Sequence, residues 1–419
     1  MKKYYKRIAD SVLSDMLKLR GAVLIEGIKW CGKTTTATQK ALSVIDLSKK
    51  KEADRAEFMV YENPDGFFCS EKPILIDEWQ KVPLIWDSLR NYIDKHQEFG
   101  NFILTGSTSQ TKAIENLRMH SGLGRIGRFK LLTMSLWESE DSNGNVSLSD
   151  LFKGQEPVRA DSPHTIEDIA FLCVRGGWPA VLSAEKRIAT KQAELYVDEL
   201  CESDIRTVDG HRRSASKMRK ILRSYARFSG SNAPNTSLEK DISDISKNTL
   251  YDYLKVLEDL FVTNETEAWN TNFRSAVAVQ SGSTRYLTDP SLATAALQMG
   301  EKDLLSDIET FGLVFETLAV RDLKAYAQIL NADVFHYRDS SGLECDAVLH
   351  LRNGQYALIE IKLSQLREEE GATTLNSLKS RIEKEGVKSP DFMMIITATG
   401  FAHRRKDGIF VVPIGCLRY

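Results

Sequence analysis

The sequence contains no apolar run that approaches the ~18 residues required for a membrane-spanning helix. Its longest apolar runs, at 392–396 and 409–414, have the length of buried strands. The basic first twenty residues contain no apolar segment like that of a secretory signal. We therefore expect a cytoplasmic protein without a membrane partner.

The chain also has few cysteines and a small net charge. The six cysteines lie apart, at positions 31, 69, 173, 201, 345 and 416, and none forms a CxxC pair. This spacing predicts free thiols in a reducing compartment and argues against a cysteine-based zinc site. With 56 basic and 58 acidic residues the net charge is only −2, so any contact with nucleic acid must come from a local basic patch.

What the chain does have is the composition of folded domains, with 42% apolar and 27% charged residues. Its length of 419 residues corresponds to about three domains. Short apolar runs that alternate with helical segments predict an α/β fold.

The most informative motif follows an apolar strand at 22–26. The next residues read GIKWCGKT, and a helical segment follows them. This is the phosphate-binding P-loop in its required strand–loop–helix setting, so ATP and Mg²⁺ are the expected cofactors. Lys33 would reach the β- and γ-phosphates, and Thr34 would bind Mg²⁺. The predicted nucleotide-binding residues are Gly27, Ile28, Lys29, Trp30, Cys31, Gly32, Lys33, Thr34, Thr35 and Ser107.

Two later strands end in side chains that suit the same site. Asp77 and Glu78 follow an apolar strand, where Asp77 would join the Mg²⁺ shell and Glu78 would polarise the attacking water. The alternative is that these acids only begin a surface loop. Thr105 and Ser107 end the next apolar strand, and either hydroxyl could sense the γ-phosphate.

Two arginines follow within the segment GRIGR. Phosphoryl transfer is accelerated by an arginine that reaches the transition-state charge, in the same chain or from a neighbour. Arg125 and Arg128 are the candidates, and ordinary solvated arginines are the alternative. The predicted catalytic residues are therefore Lys33, Asp77, Glu78, Arg125 and Arg128.

The series resembles a bacterial and archaeal family of AAA-type ATP-binding proteins, related to archaeal STAND-like ATPases and carrying a C-terminal domain of unknown function. The matching pieces read GIKWCGKT, PILIDEWQKVPLIWDSLRNYID, NFILTGSTSQ, GRIGRFKLLTMSLWE and RGGWPAVL. Thr133 stands where the family usually has proline. The resemblance implies ATP hydrolysis and a homo-oligomer, for which a ring is the common form.

The best basic patch lies between positions 206 and 227, with eight Lys or Arg residues and one acid. A basic helix face can pair with DNA phosphates, whereas a solvated face or an intersubunit contact is the alternative. The DNA-binding candidates are Arg212, Arg213, Lys217, Lys220, Arg223 and Arg227.

Two helical segments, 238–245 and 246–261, and a small β-wing formed by 261–263 and 267–269 predict a winged helix-turn-helix. The family resembled above also has this module here. The exposed positions of the second helix are poor in arginine, so packing or oligomerisation is an alternative role.

The C-terminal part presents a helix with Glu316, a strand with Asp346 and a strand with Glu360 and Lys362. This arrangement resembles the PD-(D/E)XK restriction-endonuclease-like core. The resemblance implies that Asp346 and Glu360 bind Mg²⁺, that Lys362 positions a water and that Glu316 assists. Whether such a site cleaves DNA is left open.

The hairpin between these strands has two possible registers. A two-residue turn at Asn353 and Gly354 would pair Asp346 with Ile361, which directs Asp346 away from the site. A three-residue loop at 352–354 would pair Asp346 with Glu360. The sequence leaves both registers open.

Together these features predict three domains: a P-loop AAA-type ATPase domain at 1–165, a helical lid and winged-helix-like domain at 166–290, and a nuclease-like domain at 291–419. The expected function is an ATPase that acts on DNA of unknown form. The alternatives are a nucleotide-controlled switch acting on a protein partner, and a Mg²⁺-dependent nuclease gated by ATP.

Overall fold

The computed structural model describes residues 3–106, 122–157, 159–204, 213–242, 245–270 and 282–419. The chain forms two compact units, of which the first consists of Met1–Thr133 and two short later segments. The second unit contains Met134–Glu202 and most of the remaining chain. The change from the first unit to the second falls near Thr133, and the domain boundary at 165 stays a prediction.

The first unit contains a parallel sheet, which within its described residues has five strands in the order β2-β3-β4-β1-β5. The strands are β1 (Ala22–Glu26), β2 (Ser43–Asp46), β3 (Ile74–Asp77), β4 (Phe102–Gly106) and β5 (Ile126–Lys130). The described helices are α1 (Ile8–Leu17), α2 (Lys33–Thr38), α3 (Lys50–Glu62), α4 (Pro64–Phe67) and α5 (Leu84–His96). The predicted α/β architecture with a parallel sheet is confirmed.

The three central strands explain why the core lies where it does. Residues 22–25, 74–76 and 102–104 are all inaccessible to solvent, as expected for parallel strands covered on both faces. Trp79 and Trp86 pack in the same core. Because the strands run in parallel, their carboxyl ends meet at one edge of the sheet, and ligands bind at this edge in such folds.

The second unit contains a mixed sheet, whose described strands lie in the order β11-β12-β10-β9-β8-β7. Its strands are β7 (Ala332–Arg338), β8 (Glu344–Leu351), β9 (Tyr356–Lys362), β10 (Phe392–Thr397), β11 (His403–Arg404) and β12 (Phe410–Pro413). β7, β8 and β9 are antiparallel neighbours, whereas β9, β10 and β12 run parallel. A separate pair consists of β6 (Val146–Ser147) and β13 (Leu417–Arg418).

Most helices of the described chain follow Thr133. They are α6 (Leu148–Phe152), α7 (Ile166–Arg175), α8 (Lys186–Ala189), α9 (Lys191–Glu199), α10 (Ala215–Arg227), α11 (Asn235–Asp241), α12 (Lys247–Asp259), α13 (Pro290–Leu297), α14 (Glu301–Ser306), α15 (Ile308–Leu330) and α16 (Glu368–Lys384). Within the described ranges, no helix has both the length and the apolar character needed to cross a bilayer.

A buried ion network accounts for the position of the unit boundary. The guanidinium of Arg321 lies 2.7 Å from Asp322 and 3.2 Å from Asp289, and all three side chains are buried. Asp322 accepts a hydrogen bond from the backbone N–H of Leu136, and Asp289 accepts one from that of Gly177. These bonds hold the chain after Thr133 in the second unit, because a buried charge needs its full set of partners.

The β-wing differs from the prediction. Helices α11 and α12 are present, but the residues after α12 do not pair with each other in the described structure. They form isolated bridges instead, namely Thr263–Leu287, Thr266–Thr284 and Ala268–His336. Their partners are far away in the sequence, so the local pattern carried no signal for them.

Candidate nucleotide site

The P-loop connects β1 to α2 through two glycines in the left-handed region. Gly27 has φ 150° and Gly32 has φ 99°. A Cβ on Gly27 would lie 2.3 Å from the carbonyl oxygen of Leu131, so no other residue fits there. Between them, Trp30 also has positive φ, at 67°, and its side chain is 59% exposed. Backbone curvature thus brings the loop N–H groups toward the start of α2, the usual anion-binding arrangement.

Lys33 is the first residue of α2 and is largely buried. Its Nζ donates hydrogen bonds to the carbonyl oxygens of Gly27, at 2.8 Å, and Ile28, at 2.9 Å. The ammonium group therefore lies within the curve of the loop, where it can reach a phosphate bound to the loop N–H groups.

Asp77 is the centre of a polar cluster at the carboxyl ends of the strands. Thr34 Oγ1 donates to Asp77 Oδ1 at 2.9 Å, and Thr105 Oγ1 donates to the same carboxylate. The strand register requires the second contact, because Asp77 and Thr105 are direct partners in the β3–β4 ladder. A carboxylate and a hydroxyl are hard oxygen ligands of the kind that Mg²⁺ prefers, so Asp77 and Thr34 fit this ion.

At Glu78, directly after the end of β3, the backbone turns away from the strand. Glu78 has a left-handed backbone, with φ 57°, and it begins the short 3₁₀ turn Trp79–Lys81. Gln80, on this turn, donates through Nε2 to Glu78 Oε2 at 2.6 Å. Gln80 was not among the predicted site residues. The signal that could have identified it is its position, a polar residue two positions after Glu78.

The arginine candidates have partners within their own chain. Arg125 Nε lies 2.7 Å from Asp94, and the Arg128 guanidinium lies 5.0 Å from the centre of the Trp86 ring. Arg125 would have to leave this ion pair to reach a phosphate. Ser107 lies outside the described residues.

The hairpin in the second unit adopts the three-residue loop. Gly354 has φ 86°, and Leu351 N–H donates to Gln355 across the loop. Ala347 therefore pairs with Ile359, and this register sets Asp346 opposite Glu360. Of the two registers left open, the structure has the one that brings both acids to the same face of the sheet.

Around these acids the structure forms a closed ion cluster. Lys362 Nζ lies 2.6 Å from Glu360 and 3.5 Å from Asp346, and Asp346 also accepts the Ile361 N–H at 2.7 Å. Glu316 accepts a hydrogen bond from the Tyr286 hydroxyl at 2.6 Å. Because Lys362 Nζ contacts both carboxylates, the arrangement differs from an open metal site. Across the described ranges, no three His, Cys, Asp or Glu side chains are grouped as metal ligands.

Burial governs the titration of this cluster. It raises the pKa of Glu360 to about 8, and the negative charge of Asp346 adds to the effect. The pKa of Glu316 is raised well above its usual value for the same two reasons. Lys362 has a raised pKa despite its burial, because Asp346 and Glu360 favour its charged form. Burial and the neighbouring acids thus favour the protonated forms of Glu360 and Glu316.

The basic patch is only partly available to a ligand. Arg213 is buried, with 6% of its surface exposed, and Arg227 forms an ion pair with Asp241. Arg213 therefore offers little surface to a DNA phosphate, and Arg227 would first have to leave its ion pair. Arg212 lies outside the described residues.

Three candidates remain on the outer surface of α10. Lys220 and Arg223 are exposed and Lys217 is half-buried. Their neighbour Arg219 is paired with Asp198 and Glu202. Among the described residues of this candidate set, Lys220 and Arg223 are thus exposed together with the paired Arg227.

Comparison with known families assigns the region around the P-loop. Residues 19–140 match the AAA domain family AAA_14. The P-loop therefore lies in a segment that is similar to AAA domains. Residues 166–303 and 311–417 match two domain families of unknown function, DUF8612 and DUF4143. No protein of curated function gives a significant match.

Solved structures offer only distant similarity. A Walker-type ATPase of Pyrococcus abyssi is 15% identical, over 70% of this chain and 96% of that one, with a TM-score of 0.42. A STAND ATPase with a tetratricopeptide-repeat sensor from Pyrococcus horikoshii is 12% identical, over 78% of this chain and 48% of that one, with a TM-score of 0.22. Drosophila ORC bound to DNA is 11% identical, over 65% of this chain and 88% of that one, at the same score of 0.22.

Proposed function

We propose that this protein hydrolyses Mg²⁺-bound ATP at the cluster formed by Lys33, Thr34, Asp77 and Glu78. The observation that carries the proposal is the direct hydrogen bond of 2.9 Å between Thr34 on the P-loop helix and Asp77 at the end of β3. It joins a P-loop hydroxyl to a strand-end carboxylate, the two kinds of group that hold Mg²⁺ in P-loop ATPases.

Each residue has a distinct role in this proposal. The loop N–H groups and Lys33 bind and orient the phosphates, and Thr34 and Asp77 would hold Mg²⁺. When bound, Mg²⁺ supplies positive charge to the β- and γ-phosphate oxygens. Glu78 orients the attacking water and accepts its proton.

The test is phosphate release from ATP by the purified full chain, with Mg²⁺ and with EDTA. Lys33→Ala is the loss variant, and Lys40→Ala, an exposed lysine beyond α2, is the matched control. We expect turnover that needs both Mg²⁺ and Lys33 and that survives the control substitution. Turnover of equal rate in Lys33→Ala would contradict the proposal.

We also propose that the ATPase acts on DNA, through the exposed surface of α10. Support comes from Lys220 and Arg223, which present positive charge to solvent on one helix. ATP hydrolysis measured with single-stranded, duplex and branched DNA is the test, and one form should raise the rate several-fold with a steep dependence on salt. A rate that no DNA form changes would favour the switch that acts on a protein partner.

For the C-terminal region we propose a restriction-endonuclease-like fold without cleavage activity. The fold is supported by the order of elements, since α15 precedes three antiparallel strands and α16 leads to the parallel strand β10. Inactivity is supported by the contact of 2.6 Å between Lys362 and Glu360, because a cation would have to displace the lysine from this carboxylate. DNA cleavage that requires Mg²⁺ and is lost in Asp346→Ala would overturn this second part.

The assembly proposed is a homo-oligomer in which Arg125 acts on the nucleotide of a neighbouring copy. This requires release of the exposed ion pair between Arg125 and Asp94, which costs little because both side chains contact solvent. Light scattering with and without ATP would test it, and a monomer under every condition would contradict it.

A further inference from the structure

We propose that Gln80 is a positioning residue that aligns Glu78 and the attacking water for ATP hydrolysis, an inference that rests on the ATPase function proposed above. The first observation is the hydrogen bond of 2.6 Å that Gln80 Nε2 donates to Glu78 Oε2. Both residues lie on one tight turn, in which Glu78 has left-handed backbone and Trp79–Lys81 form the 3₁₀ helix. The amide therefore fixes the direction of a carboxylate that has just left the strand.

The second observation concerns the other end of the same amide. Gln80 Oε1 is buried and has no hydrogen-bond partner among the described residues. A buried acceptor without a partner is unfavourable, so a position that keeps one is expected to receive a donor during function. We infer that this donor is the attacking water.

The third observation is the space made for this oxygen at the end of β4. A Cβ on Gly106 would lie 3.1 Å from Gln80 Oε1 and 3.3 Å from Trp79 Nε1, closer than most such contacts. Gly106 is also the register partner of Glu26, the last residue of β1 before the P-loop. The absence of a side chain here thus lets the amide oxygen lie at the nucleotide edge of the sheet.

These contacts define how a water would be held. It would donate one hydrogen bond to Glu78 and one to Gln80 Oε1, so that an oxygen lone pair is directed at the γ-phosphorus. As the new P–O bond forms, the bond to the bridging oxygen breaks and its electron pair leaves with ADP. The water proton passes to Glu78, and the products are ADP and inorganic phosphate.

Three substitutions at position 80 separate this role from a structural one. Gln80→Ala removes both contacts, Gln80→Glu keeps the size but has no N–H to donate, and Gln80→Asn keeps the amide on a shorter side chain. Lys81→Ala, an exposed neighbour on the same turn, is the matched control. Circular dichroism and the melting temperature verify that each variant is folded.

We expect kcat to fall about 10–100-fold in Gln80→Ala and Gln80→Glu, because misalignment of a reacting group has effects of this size. Gln80→Asn should fall between these and the wild type, Lys81→Ala should match the wild type, and KM and the Kd for Mg²⁺-ADP should change less than twofold. A kcat within twofold of wild type in Gln80→Ala, or a rise in KM with kcat retained, would overturn the inference.

Failure of the proposed ATPase function and failure of the Gln80 inference give different experimental results. A wild-type chain that binds ATP without hydrolysing it removes the ATPase proposal and this inference together. A wild-type chain that hydrolyses ATP at the same rate as Gln80→Ala removes the inference alone. Gly106→Ala supplies an independent check, since it should displace the Gln80 amide and lower kcat in the same direction.

Discussion

Two acid–lysine clusters lie at strand ends in this molecule, and they differ in what the lysine contacts. In the first unit Lys33 donates to the loop carbonyls, while Asp77 is held by threonine hydroxyls. In the second unit Lys362 pairs directly with Glu360, which is only 3% exposed. Hydroxyl contacts can rearrange around an incoming cation, whereas a buried ion pair resists one, because separating it leaves uncompensated charge.

Residue type alone does not define a metal site in this molecule. In the sequence, each cluster has the pattern of Mg²⁺-binding acids with a lysine nearby. Both clusters were therefore predicted to bind Mg²⁺. Burial and the choice of partner distinguish them.

The largest expected effect is the loss of turnover in Lys33→Ala. Removal of a positioned charge from a phosphoryl-transfer site lowers kcat about a thousandfold, and the fold should be kept because Lys33 contacts only its own loop in the described structure. Steady-state ATP hydrolysis and a thermal melt check both parts. If Lys33→Ala unfolds the protein and Lys362→Met stops hydrolysis, the proposed difference between the two clusters is contradicted.

Lys362→Met should destabilise the second unit by about 3 kcal/mol, because it leaves Glu360 and Asp346 without a counter-charge. ATP turnover should be unchanged. Urea unfolding at pH 8 gives the stability, and Lys379→Ala, on the surface of α16, is the control. Unchanged unfolding would mean that the cluster is open to solvent and closer to a metal site than its contacts indicate.

Glu360→Gln tests the burial of this cluster through the pH dependence of stability. The folded pKa of Glu360 is about 8, above that of the unfolded chain, so the folded state carries an extra proton between about pH 4.5 and 8. Stability from this group is present at low pH and is lost as pH rises through that window. The glutamine variant should therefore gain about 4 kcal/mol relative to wild type between pH 5 and 8.5. Equal pH profiles from chemical denaturation would contradict the burial argument.

The smallest effect is expected for Thr105→Val. The substitution keeps the shape of β4 but removes one of the hydroxyls that donate to Asp77. A single hydrogen bond contributes about 1 kcal/mol, so kcat should fall about fivefold. If kcat falls as far as it does in Lys33→Ala, Thr105 takes part in the chemistry directly.

Much of the nucleotide site could be predicted because its residues follow short, ordered motifs. Thr34, Asp77 and Thr105 each end or follow an apolar strand, and parallel pairing then brings them together. The hairpin register could not be predicted, because loops of two and three residues are both compatible with Asn353 and Gly354.

Long-range contacts left weaker traces in the sequence. Arg321 and Asp322 interrupt an apolar helix, a signal of a buried ion pair, but their contacts with Asp289 and the backbone of Leu136 join distant segments. For this reason no local pattern marks the change of unit near Thr133. Arg213 shows the same limit, since its burial depends on packing that no local charge pattern records.

The unusual backbone of Trp30 has a practical consequence. Among the six tryptophans, all of which lie in the described residues, this one alone is exposed; Trp79, Trp86, Trp178 and Trp269 are buried. Its indole lies in the P-loop and emits at longer wavelength than the buried rings do. The chain therefore carries a natural fluorophore whose quenching by acrylamide can report nucleotide occupancy without any label.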